Sequence, residues 1–359
     1  MTQEARSGAS LGLAARKILL VGDYPPPHGG IAVHVRDLQG ALCGTRATVR
    51  VLALGRADRK MPGVTPVAHP TALAANLVRY TSAGYLVHAH ISGHTPKSWL
   101  VALACALFRA WWAPAPLLTV HSGLTGRFLA VSRRRRALAG LICRRFGAVV
   151  AVDPHIAAAL GDAGSPSERL LVAPAFSPRG LSPGALPDEV ADLRRRRTPL
   201  LCAATSARAV YGARAFLEAL PALLREQPAV GAVVFGPMSQ ALGWLARAYR
   251  VEDRVACLGE LPRARAQAVI GACDVFVRPT LADGDAISVR EALGLDRPVV
   301  ASAVGYRPAG VALFRAGDPE DLARAILEAL RRGPTQVPVM DGVASVLELY
   351  AAWPPRAHD

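Results

Sequence analysis

Three acidic residues stand close together late in the chain, Asp283, Asp285 and Glu291, inside the stretch GACDVFVRPTLADGDAISVREALGLDRPVVASAVGYRP at 271–308. Val275–Val277 reads as a buried parallel strand closed by Pro279, and the loop 281–285 that follows is acidic and hinged on Gly284. Helix-compatible residues run from Ala286 to Leu295, and Arg297-Pro298 ends them, because proline disfavours the α region in the residue before it. A loop leaving the carboxyl end of a parallel strand is where α/β folds bind ligands. The first N–H groups of the helix, those of Ala286, Ile287 and Ser288, favour an anion such as a phosphate. Asp283 and Asp285 beside a phosphate alone would repel it, so a sugar hydroxyl or a developing cation is expected there too. Glu291, about a turn and a half into the helix, is placed to accept hydrogen bonds from ligand hydroxyls.

Early in the chain a second ligand loop is expected. The strand Lys17–Gly22 leads through Asp23 and three prolines to Gly29-Gly30, and an amphipathic helix follows over Ile31–Leu42. The spacing is not that of a nicotinamide fingerprint, yet paired glycines before a helix let a backbone approach a diphosphate closely. His121, at the carboxyl end of the strand Leu117–Val120 and followed by Gly123, is positioned to touch a ligand. His88 and His90 alternate onto one face of the strand Tyr85–Ile91, with His94 nearby. No carboxylate or cysteine accompanies them at ligand spacing, so they read as structural or cleft-lining rather than as a metal site. Gly8-Ala9-Ser10-Leu11-Gly12 has the form of a nucleophile elbow, but no strand precedes it and the match reads as chance.

The pattern Asp283, seven residues, Glu291-Ala292-Leu293, then Pro298-Val299-Val300-Ala301-Ser302 resembles the carboxylate-pair signature of family 4 retaining glycosyltransferases. That resemblance, over about residues 17–353, implies the GT-B architecture: two doubly wound Rossmann-like α/β domains facing across a cleft. It implies a nucleoside diphosphate sugar as donor substrate, no further cofactor and no metal. Glu291 would hold the nucleotide ribose, Asp283 the transferring sugar, and His121 would orient that sugar. The Gly29-Gly30 loop and the 285–288 helix start would hold the diphosphate. This chain departs from the family in three places. Asp283 replaces the usual glutamate, Asp296-Arg297 replaces a glycine (an αL position that aspartate tolerates), and the arginine–lysine diphosphate clamp is missing. Ser206 and Tyr211 stand where the two cations are expected, leaving Arg208 or Arg214 to supply charge. The alternative is therefore an inactive, glycosyltransferase-like binding or scaffold protein in a glycan assembly complex.

The elements that must position these residues alternate strand and helix along the chain. Further strands are expected at Val49–Leu54, Val149–Val152 and Leu170–Pro174, then at Leu200–Ala204, Ala229–Phe235, Val255–Leu258 and Val299-Val300. The organisation expected is a tail over 1–15, an acceptor-side domain over 16–180, a donor domain over 181–340, and a helix over 341–359 crossing back. Residues 175–198, rich in proline, glycine, serine and arginine, read as the linker. With 359 residues, 52% hydrophobic and 19% charged, each domain has material for a core. Six scattered cysteines suggest buried thiols in a reducing cytoplasm. The net charge of +15 comes almost wholly from arginine, with runs at Arg133–Arg136, Arg144-Arg145 and Arg194–Arg197. The runs lack interleaved aromatics, which argues against nucleic acid. They suit an anionic membrane surface and a glycan or lipid-linked acceptor, with the protein cytoplasmic or peripheral on the inner face of the membrane; equally, they fit a high-GC genome's general preference for arginine with no specific role. The apolar run Trp99–Ala113 is too short and broken to span a bilayer and reads as a buried helix, or as a lipid-interface contact at Trp111-Trp112.

Overall fold

The computed structural model describes residue 13 and residues 16–26, 29–55 and 61–353. The Gly8–Gly12 match falls outside them, as does the expected tail over 1–15 except Leu13, which is buried in the core with Ile18 and Leu20 rather than free. The chain divides into two compact units, Met1–Ser177 with Met340–Asp359, and Pro178–Val339. In the first unit the elements are β1 (Lys17–Gly22), α1 (Gly30–Cys43), β2 (Thr48–Leu54), β3 (Val64–Val67), α2 (Pro70–Ser82), β4 (Leu86–Ile91) and α3 (Pro96–Leu107). There follow β5 (Leu117–Val120), α4 (Thr125–Ala130), α5 (Arg133–Cys143), β6 (Ala148–Ala151), α6 (Pro154–Asp162) and β7 (Leu170–Val172). The second unit holds α7 (Asp188–Arg196), β8 (Leu200–Ala204), α8 (Ala213–Glu226), β9 (Gly231–Phe235), α9 (Gly243–Ala248) and β10 (Val255–Cys257). It continues with α10 (Arg263–Ala272), β11 (Val275–Arg278), α11 (Ile287–Gly294), β12 (Val299–Ser302), β13 (Val311–Phe314) and α12 (Pro319–Arg332). The last helix, α13 (Gly342–Ala352), belongs to the first unit.

Each unit is a parallel sheet, ordered β3-β2-β1-β4-β5-β6-β7 in the first and β10-β9-β8-β11-β12-β13 in the second. Alternation along the strands sends side chains to two cores. In β1, Leu19 and Val21 join α2, α3, α5 and α6 on one face, while Ile18 and Leu20 join α1 and α13 on the other. In β8, Leu201 and Ala203 pack with α8, α9 and α12, and Leu200, Cys202 and Ala204 with α7, α10 and α11. Burial on both faces explains why these strands read as continuous apolar runs. The strand order reverses between β1 and β4 and between β8 and β11, and these switch points are where doubly wound sheets place ligands at the strands' carboxyl ends.

Local corrections to the sequence reading have physical causes. The stretch read as linker contains α7, whose Asp188 and Glu189 sit in the first turn and Arg194–Arg196 in the last, both favourable to the helix dipole. Val190 and Leu193, one turn apart, bury it against the second sheet. The strands β3 and β13 escape the sequence reading because each is four residues long at or near a sheet edge. The helix after Pro96 stops at Leu107, so Trp111 lies on the surface at 79% exposure rather than in a buried helix through Ala113. Asp296 adopts φ +56°, the left-handed conformation expected of it after α11.

Candidate functional site

In unit 2, the loop from β11 to α11 is built around buried ion pairs. Arg278, the last residue of β11, donates from Nε to Asp283 Oδ2 at 2.9 Å and from a terminal nitrogen to the Ala204 carbonyl at 3.1 Å, tying the loop to β8. Arg307 reaches the same carboxylate at 3.3 Å and also donates to the carbonyls of Ser302 and Gly284 and to Thr280 Oγ1. Thr280 donates its hydroxyl to Asp283 Oδ2 at 3.1 Å. Burial pushes the Asp283 carboxyl up, but Arg278, Arg307 and Thr280 together outweigh it and hold the group below the usual carboxylate range. Asp285 accepts from Arg290 Nε at 2.8 Å, and that side-chain pair is nearly excluded from solvent.

Three guanidiniums thus meet two carboxylates, leaving one positive charge in excess at the junction. The repulsion expected between the two aspartates and a phosphate is answered by arginines that the sequence reading did not assign. Ala286 caps α11, so its helix begins at Ile287 rather than at Ala286; Ile287 and Ser288 supply first-turn N–H groups that no helix satisfies internally. Glu291 does not stand open in this loop. It is 6% exposed and its Oε1 accepts from Arg263 at 2.8 Å and Gln267 at 2.9 Å, both on α10.

The loop leaving β8 lies across the same switch point. Arg208 is exposed there, its N–H donating to Ser206 Oγ at 3.3 Å, while Tyr211 stacks under Arg278 with 5.7 Å from guanidinium to ring centroid. Arg214 is not part of this cluster: its exposed side chain pairs with Glu218 one turn along α8. Gly212 has φ +69°, and a Cβ on it would sit 1.8 Å from the Pro279 carbonyl oxygen. A Cβ on Gly305 would meet the Asp283 carbonyl oxygen at 2.4 Å. Both glycines allow the loops around Asp283 to close on one another.

In unit 1 the switch point gathers histidines. His34 of α1, His90 of β4 and His121 after β5 bring ring nitrogens within 4.8 Å of one another, an arrangement a metal ion could use. His90 Nδ1 lies 3.2 Å from His121 Nε2, and the buried His34 Nδ1 and His90 Nε2 have no hydrogen-bond partner among the described residues. Burial keeps these rings neutral: the imidazole of His34 is pulled down to about 4, and those of His90 and His121 lie well below the usual value. His88 and His90 share one face of β4 as expected, with ring centroids 4.2 Å apart, but the potential metal cluster is a different set from His88, His90 and His94. His88 belongs to the core, bonded to Tyr350 Oη and Thr119 Oγ1, whereas His34 comes from a helix 54 residues before His88 in the chain and joins only through the fold. Gly29, exposed and extended before α1, has open space where a Cβ would be, and Gly30 opens the helix.

Residues 197–332 match the family model of glycosyl transferases group 1. The group 1 match spans the Asp283 junction and all six strands of unit 2. A subunit of the phosphatidylinositol N-acetylglucosaminyltransferase of Arabidopsis thaliana is 29% identical over 149 residues, which is 39% of this chain and 33% of that protein. The chain therefore matches only about a third of that relative's length. Among solved structures, Anabaena HepE in complex with UDP superposes with a TM-score of 0.63 at 18% identity, covering 94% of each chain. Sucrose-phosphate synthase from Thermosynechococcus elongatus gives 0.62 at 20% identity over 94% of this chain and 93% of its own. S. aureus MnaA bound to UDP gives 0.63 at 14% identity over 92% and 94%. The fold is GT-B.

Proposed function

We propose that the chain is a retaining, family 4-type glycosyltransferase that moves a sugar from a nucleoside diphosphate sugar to a glycan or lipid-linked acceptor, in polysaccharide or glycolipid assembly. The observation carrying this reading is the net-cationic junction of Arg278, Arg307, Arg290, Asp283 and Asp285 at the start of α11, inside the group 1 region. Its guanidiniums and the first-turn N–H groups of Ile287 and Ser288 receive the diphosphate, doing the electrostatic work that Ser206 and Tyr211 cannot. Arg208, exposed on the neighbouring loop, adds a fourth guanidinium to the donor site.

Asp283 faces the transferring sugar and favours positive charge as the donor bond breaks. The same carboxylate holds Arg278 at the end of β11, so its loss also loosens the phosphate contact. Glu291 has its Oε1 occupied by α10, and its nucleotide role is to accept from the ribose hydroxyls while keeping that anchor. The neutral ring of His121 hydrogen-bonds sugar hydroxyls, and Gly29-Gly30 leave room for a ligand. The leaving phosphate accepts the acceptor's proton, so the scheme needs neither a separate base nor a metal.

The test is thermal unfolding of the whole chain with UDP, GDP, ADP, dTDP and NAD, each with and without EDTA. UDP comes first because HepE and MnaA were solved with it. Ligand at a hundred times its dissociation constant stabilises by about 2.7 kcal/mol. For units of this size that is a shift of roughly 5–11 °C. A shift with one nucleoside diphosphate that EDTA leaves unchanged supports the reading. No shift with any of them favours the inactive scaffold, and an EDTA-sensitive shift points to a metal at the His34–His90–His121 group.

A further inference from the structure

The helices α2, α3, α4, α5 and α6 cover one face of the first sheet, and the chain that forms all of them but α6, which ends on the exposed Asp162, is depleted of one kind of charge. From Arg59 to Val152 there is no aspartate or glutamate, against twelve lysines and arginines. A general preference for arginine does not explain this, because it does not remove carboxylates. Elsewhere the arginines are matched on their own helices: Arg195 with Asp192 in α7, Arg324 with Asp321 and Arg332 with Glu328 in α12. By contrast Arg133, Arg134, Arg135, Arg136 and Arg145 have no carboxylate partner among the described residues.

The same stretch of chain is also rich in exposed apolar groups. Ten of the nineteen exposed large hydrophobic side chains among the described residues lie between Val78 and Leu141. Along α5 and the turn that follows it, Arg134, Leu138, Leu141 and Arg145 keep i, i+4, i+7, i+11 spacing, so cations flank an exposed apolar stripe. On α3, which packs beside α5, Leu100 is 62% exposed and Leu107 51%, and the turn beyond it carries Phe108 and Trp111. Both helices bury their other sides in one core, so these stripes point away from the sheet together.

We infer that this face of unit 1 docks on an anionic lipid surface. Leucine, phenylalanine and tryptophan enter the boundary between headgroups and acyl chains, and the long arginine stems carry their charges outward to lipid phosphates. A single apolar or basic signal gives only marginal membrane attachment, whereas here the two are interleaved on two neighbouring helices. The absence of carboxylates matters as much as the presence of arginines, since each would be repelled by anionic lipid. The attachment is interfacial: no helix among the described residues is long and apolar enough to cross a membrane. The inference uses none of the residues assigned to sugar transfer and stands apart from that reading.

The test is co-sedimentation of the full chain with vesicles of phosphatidylcholine alone and of phosphatidylcholine mixed equally with phosphatidylglycerol. Binding at least about tenfold tighter to the anionic vesicles is expected, weakening with salt, together with quenching of tryptophan emission by brominated acyl chains. Arg134→Glu with Arg145→Glu is expected to lower the anionic affinity by tenfold or more, and Trp111→Ala to remove most of the quenching. All three positions are exposed, so circular dichroism should be unchanged; were a variant to misfold, the salt and quenching results on the unaltered chain decide alone. Equal binding to both vesicle types, or no quenching, overturns the inference. So does a lipid-free dimer in sedimentation velocity that Leu141→Glu dissolves, because the face would then be a protein interface.

Discussion

At the residue scale, the donor junction depends on charges that neutralise one another out of water. Asp283→Asn removes the partner of both Arg278 and Arg307, and a buried pair broken on one side costs about 3–5 kcal/mol. The expected outcome is a fall in turnover of about a hundredfold or more with nucleotide affinity reduced less, read by steady-state kinetics and calorimetric titration. Glu291→Gln keeps the shape but not the charge that anchors Arg263; weaker nucleotide binding with a loss of about 1–3 kcal/mol in stability is expected. Unchanged affinity and turnover in both variants would remove these residues from the site. His34 makes a pH prediction. Its ring titrates near 6.5 unfolded and is lowered to about 4 in the fold, chiefly by burial. Only the unfolded chain binds the proton between those values, so its contribution is fully present above pH 6.5 and drains away as pH falls towards 4. The amount is on the order of 3 kcal/mol, and denaturant titrations of His34→Gln should show a shallower acid limb, by up to about one proton.

At the element scale, the loops at the carboxyl ends of β8 and β11 are locked by glycine rather than by length. Gly212→Ala puts a Cβ against the Pro279 carbonyl in a left-handed backbone, and a destabilisation of roughly 2–4 kcal/mol is expected in chemical denaturation. Gly29→Ala makes the complementary case, because its backbone is extended and the space around it is open. Stability within about 0.5 kcal/mol of the original chain is expected there. Any loss of sugar or nucleotide affinity in Gly29→Ala would then report a ligand brought close to that loop.

At the scale of the molecule, the chain ends by completing the unit in which it began. Val343, Val346, Tyr350 and Trp353 are core residues of unit 1, Gly342 donates its N–H to the Phe176 carbonyl at 2.9 Å, and a Cβ on Gly147 would collide with the Trp353 ring. Ending the chain after Val339 removes four buried side chains worth roughly 6–12 kcal/mol, as much as a whole domain's stability. Limited proteolysis of that truncated chain should therefore degrade unit 1 while a fragment matching Pro178–Val339 survives, since both cores of unit 2 are complete within it. Survival of unit 1 would show that α13 is dispensable.

Strand and helix order, the doubly wound class, the acidic loop after β11 and the left-handed turn at Asp296 were all legible in the sequence. Each rests on local patterns: apolar runs, proline and glycine punctuation, and the spacing from Asp283 to Glu291. The short outer strands β3 and β13 were not, because each is a four-residue, partly buried segment at a sheet edge, and the helix α7 was not, because Val190 and Leu193 are buried by residues as far along the chain as Val269 and Ile270. The partners of the acidic residues were equally hidden. Arg307 lies 24 residues beyond Asp283, and Arg263 lies 28 before Glu291; nothing in their immediate surroundings marks them as ligands of those carboxylates. The grouping of His34 with His90 and His121 likewise arises only when the parallel order β1-β4-β5 brings the three carboxyl ends together. Periodicity is a property of the local chain and survives in the sequence. Charge pairing across loops depends on which strands become neighbours, and only the folded sheet decides that.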